Sequence, residues 1–127
     1  MIGVMIGSAV YLVAMQAAVN VPRAAFSACL KQANAKATSE KVEPAAYPDF
    51  IRGLCTAEAA TFKNALISFD VKNGVKRGQA SSDADLQIDD YIAGSTDNYG
   101  SRFAAAKPKA APPPAAAPEQ TAASVPK

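Results

Sequence analysis

The sequence predicts an all-α fold: a small three-helix domain with a helix-pair disulfide, preceded by an apolar N-terminal segment and followed by a disordered Ala/Pro-rich tail. Three observations carry this prediction. Apolar residues recur at helical spacing in three separate stretches. Two cysteines stand equidistant from the midpoint of the first connection. Composition changes sharply at both ends of the chain. The expected division is an apolar leader over 1–18, or an anchor over 1–22, a helical domain over 23–103, and a tail over 104–127.

The central stretch is the strongest. From Tyr47 to Asn73, the residues Ile51, Cys55, Ala59, Phe62, Leu66 and Phe69 fall on one face at spacings of four and three. That is the α-helical period held over about five turns. Pro48 suits the first turn of this helix, and Asp49 beside it favours the positive end of the dipole. Asn73-Gly74 is a C-terminal stop signal, with Lys72 placed toward the negative end. Residues 67–71 alternate with period two and precede Asn-Gly, as a hairpin would. The returning stretch 75–79 has one apolar residue, so a hairpin has no second face to bury.

The first helix is expected over about 23–37. Phe26, Cys29, Leu30, Ala33 and Ala37 make its stripe, and Pro22 marks its start. Alanine dominates this stripe, Trp is absent and aromatics are 7% of the chain, so the core is thin and needs a staple. Val42 is the midpoint of the connection, and Cys29 and Cys55 each lie thirteen residues from it. In an antiparallel pair they sit at one height, roughly 10–12 Å from the loop at about 1.5 Å per residue. Both lie on apolar stripes, so a disulfide between Cys29 and Cys55 is expected.

The third helix is expected over about 80–99. Ala80, Ala84, Ile88, Tyr91, Ile92, Ser95 and Tyr99 share its inner face, and Ser81 or Ser82 is the expected cap. On the opposite face, Asp83, Asp90 and Asp97 recur every seven residues with Leu86 among them. This is the candidate partner-binding face: a solvated acidic surface carrying one apolar anchor. Glu58 borders the apolar face of the central helix, where a lysine or arginine of a neighbouring helix is its expected partner.

No charged side chain occurs from Met1 to Pro22. The apolar run Ile2–Val13, followed by Ala14, Ala17 and Ala18, looks like a secretory signal peptide cleaved near residue 18. A basic n-region is missing, and no A-x-A triplet precedes the cleavage point. The alternative is an uncleaved membrane anchor of about bilayer length, with Gly3 and Gly7 spaced as in paired membrane helices. The first basic residues, Arg23, Lys31 and Lys36, follow the segment, so an anchor would hold the rest in the cytoplasm. A disulfide would not persist there, and the cysteine pair therefore favours export.

The tail from Ala104 is alanine, proline and lysine, and holds six of the nine prolines. Such residues bury too little to offset the entropy of ordering.

Histidine is absent, which removes Ser-His-Asp and Cys-His catalysis and any four-ligand zinc site built from Cys and His within one chain. Residues 23–106 hold equal numbers of cationic and anionic side chains, so the +2 net charge comes from the tail and gives no basis for nucleic-acid binding. The pair Asp85 and Asp89 lies on one helix face without an opposing wall, which is not a glycosidase geometry. The acidic spacing from Asp83 fails the calcium-loop pattern at its sixth and twelfth positions. Lys72, Lys76 and Arg77 form a small basic patch that helix capping accounts for. Phosphate-binding Gly-rich loops and C-x-x-C motifs do not occur. The expectation is a non-enzymatic exported module of the bacterial envelope, periplasmic or secreted, without cofactor or metal. It acts on a protein or envelope partner and touches membrane only if the N-terminal segment is uncleaved. The alternative is a membrane-anchored accessory subunit of a larger complex.

Overall fold

A computed structural model describes residues 7–107, with side chains from Gln16 onward. Four helices follow in order: α1 (Gly7–Glu40), α2 (Tyr47–Leu54), α3 (Thr56–Lys72) and α4 (Arg77–Ala106). There is no strand among the described residues. The leader residues 1–6 and the tail residues 108–127 lie outside them.

The fold is three rods. α2 and α3 together form the middle one, antiparallel to α1 and α4. α1 packs on α3, α3 on α4, and α2 bridges α1 and α4. The expected stripes are the observed interior. Phe26, Leu30, Ala33 and Ala37 of α1 are buried, as are Ile51, Cys55, Phe62 and Leu66 of the middle rod and Ala80, Ala84, Ile88, Ile92 and Tyr99 of α4. Phe26, Phe62 and Tyr91, one from each rod, meet with centroids 5.7–6.0 Å apart. No polar or charged residue is buried among those described.

Cys29 and Cys55 are bonded, with Cα atoms 5.9 Å apart across 26 residues. In the chain-entropy account, closing such a loop stabilises by about 3.5 kcal/mol. That is a large fraction of the total stability of a small domain.

The expected central helix, 47–73, is divided at Cys55. Its backbone there (φ −108°, ψ 24°) leaves the helical well. Ladder bonds still cross the break, from Cys55 N to Ile51 O and from Ala59 N to Cys55 O. The Thr56 hydroxyl lies 2.8 Å from Arg52 O and 3.2 Å from Gly53 O, carbonyls that the break withdraws from the regular ladder. A weak helix former at Gly53 and a back-bonding threonine at Thr56 favour the division here.

The other boundaries also move. α1 does not begin at Pro22 but runs through it from Gly7. Proline inside a helix costs about 3 kcal/mol. On its far side Val19 is 6% exposed and lines a cleft with Leu66 and Phe69, which offsets part of this. α4 starts at Arg77 with no side-chain cap, and Ser82 instead donates to Gly78 O, so the expected Ser81 or Ser82 cap is not formed. It continues to Ala106, into the segment assigned to the tail. Phe103 extends the stripe one turn beyond Tyr99, and Ala104–Ala106 are strong helix formers. Lys107 adopts φ −63°, ψ 134°, the extended conformation that a residue preceding proline prefers, and the helix stops there.

Two helices end in the same way. At the end of α3, Gly74 (φ 91°) donates to Val71 O and Val75 to Asp70 O. At the end of α1, Lys41 donates to Thr38 O and Val42 to Ala37 O, with Lys41 at φ 54°. Both are Schellman terminations, but the second places a side chain where glycine is favoured.

Two outcomes follow. Lys41→Gly should raise stability by about 0.5–1 kcal/mol in urea unfolding, because it removes the left-handed penalty. Cys29→Ala with Cys55→Ala should lower it by about 3–4 kcal/mol, measured in the same way.

Candidate binding groove

Tyr99 ties the end of α1 to α4. Its hydroxyl lies 3.2 Å from Ala37 O and makes a short hydrogen bond to Val42 O, so the α1 termination rests on a side chain of another helix. The ring of Tyr99 stacks on that of Tyr47 at 4.1 Å with planes 5° apart. The Tyr47 hydroxyl accepts from Asn34 Nδ2 at 3.3 Å and is 2.8 Å from Ser95 Oγ. Every rod therefore contributes to this node. Burial, followed by the neighbouring Tyr47 and then Glu43, holds the Tyr99 phenol above its ordinary pKa.

Over the node opens a groove of about 550 Å³, a volume typical of ligand pockets. Its floor is Tyr99 and Phe103. Its rim carries Lys41, Arg102 and Lys107 against one carboxylate, Glu43. The Lys107 ammonium lies 5.1 Å from the Phe103 ring centroid. None of these rim cations is in an ion pair among the described residues. Alongside, a second hollow between α1 and α4, of about 310 Å³, includes Lys31, Asn34, Asn98 and again Arg102, and no carboxylate.

The residues expected to form the partner face lie elsewhere on α4. Leu86 is 62% exposed, Asp90 and Asp97 are exposed, and Asp83 is half-buried, accepting a 2.7 Å bond from Gln79. They occupy one outward face, as their spacing implied. Asp85 and Asp89 are engaged across the surface, with Lys63 and Arg52 respectively, in exposed pairs worth at most about 1 kcal/mol each. Glu58 is half-buried without the expected ion pair among the described residues; no oxygen of it is left both buried and unpartnered. Lys72, Lys76 and Arg77 are exposed around the α3–α4 turn. Among the described residues, no three His, Cys, Asp or Glu side chains gather as a metal site would require.

Sequence reasoning missed the groove. Tyr47 and Tyr99 are 52 positions apart, and nothing local marks them as partners. The available signal was the continuation of the α4 stripe through Phe103, which would have carried the helix past Arg102 toward Lys107.

No protein-family model, curated protein or solved structure matches this chain.

The raised Tyr99 pKa fixes an alkaline response. The folded state keeps this proton at a pH where the unfolded phenol, with a pKa of about 10, has lost it. Stability is therefore full below about pH 10 and falls as pH rises toward the folded-state pKa. Tyr99→Phe should cost about 1–2 kcal/mol at neutral pH, since it orphans Val42 O. It should also flatten the alkaline fall, as read by urea unfolding between about pH 8 and pH 11.

Proposed function

We propose that the chain is an exported, non-enzymatic helical module of the bacterial cell envelope that acts by binding a protein or surface partner. The observation that carries the export half is the bond between Cys29 and Cys55. Structural disulfides persist in oxidising compartments, and a small domain with a thin core is the kind that depends on them. Gln16, Ala17 and Ala18 are exposed and Val19 is buried, so cleavage after Ala18 keeps Val19 in the mature chain.

The binding half rests on the groove at the α1–α4 end and on the outward acidic face of α4. Both are surfaces shaped by the fold and left open among the described residues. The anchored-subunit alternative rests on residues 1–22; export is preferred to it because a disulfide would not persist in the cytoplasm, where such an anchor would hold the domain.

Intact-mass analysis of the chain recovered from its native cell is the test. The expected species starts at Val19 and is lighter by two hydrogens than the fully reduced form. Recovery of a chain that retains Met1 and has both thiols free would overturn export.

A further inference from the structure

We propose that the groove between α1 and α4 receives the acidic face of α4 from a second copy of this chain. The proposal deepens the binding reading by naming the partner, and rests on it.

Charge is the first ground. Residues 23–106 carry no net charge, yet the signs are sorted onto different faces. The groove and the hollow beside it are lined by Lys31, Lys41, Arg102 and Lys107, with Glu43 their one carboxylate. Asp83, Asp90 and Asp97 line the back of α4. Cations near the ends of α1 and α4 also serve the helix dipoles. That role covers Lys41, Arg102 and Lys107 but not Lys31, which lies nine residues before the α1 terminus.

Shape is the second ground. Leu86 is 62% exposed in the middle of an acidic surface, and the groove presents Phe103 on its floor. A helix that offers one apolar anchor between charges suits a groove with an apolar floor and a charged rim of opposite sign. Asp83 to Asp97 spans roughly 21 Å of helix, and Lys31 to Lys41 roughly 15 Å, at about 1.5 Å per residue. The two surfaces are therefore comparable in length.

The two surfaces lie on different sides of α4, so one copy can use both at once. Where the two surfaces of one copy engage different neighbours the contact is heterologous and builds rings or open chains; where both engage the same neighbour it closes as a two-fold dimer.

Sedimentation equilibrium of the oxidised chain tests this. The average mass should rise with concentration in about 20 mM salt and return to that of the monomer near 0.5 M, where charges are screened beyond a few ångströms. Asp90→Lys with Asp97→Lys should weaken self-association by about tenfold or more, and so should Arg102→Glu with Lys107→Glu. An equimolar mixture of the two doubly reversed chains should associate again, which a misfolded variant could not do. Leu86→Ser should weaken the association of the otherwise unchanged chain in about 20 mM salt, where the unsubstituted chain associates. A chain that stays monomeric at about millimolar concentration in low salt overturns the proposal; so does association indifferent to Leu86→Ser, or reversed chains that do not pair on mixing. None of these failures touches the mass of the exported chain, so export stands or falls separately.

Discussion

Alanine supplies much of the apolar stripe of α1, and alanine buries little area. Shape and spacing can align such a helix with its neighbour, but they hold it weakly. The bond between Cys29 and Cys55 meets this shortage at one particular point: where α2 gives way to α3 opposite the stripe of α1. On one side of it lies the cluster of Phe26, Phe62 and Tyr91; on the other lies the stacked pair Tyr47 and Tyr99. The covalent link keeps these two aromatic groups in register with each other. It also removes disordered conformations that a core of this size could not outweigh.

What could be read from residues alone follows from how local each signal is. Periodic stripes depend on positions three and four apart, so the inner faces of all three rods were legible, and Gly74 marked the end of α3. The cysteine pairing was legible because it needed only the symmetry of one connection. Helix ends were not legible in the same way. Pro22 stood for a start because propensity disfavours it within a helix, yet α1 runs through it with Val19 packed on the far side. Ala104–Ala106 were grouped with the tail by composition, whereas Pro108 is the residue that sets the end of α4. The break at Cys55 falls beside the weak helix former Gly53, at the residue that carries the disulfide. The groove was legible least of all, since it is assembled from the end of one helix, the following loop and the end of another. The period of α4 alone placed Leu86, Asp90 and Asp97 on its exposed side, whereas Asp83 is half-buried.

The surface chemistry is divided in a way that the total charge conceals. Exposed ion pairs, Lys63 with Asp85 and Arg52 with Asp89, link the middle rod to one flank of α4. They contribute little to stability individually. They do neutralise that flank, and so separate the unpaired acids on the back of α4 from the cations above the tyrosine node. The same node that fixes the α1 termination thus places Arg102 and Phe103 at the groove.

Because α1 and α4 run parallel, Val19 and Lys107 stand at opposite poles of the bundle. A pull applied between those poles would load the rods lengthwise, and the sulfur bridge would form a covalent shortcut in the load path. The 26-residue span it encloses could not be paid out. At about 3.4 Å per extended residue, roughly 90 Å of contour would stay coiled under tension that strips everything else.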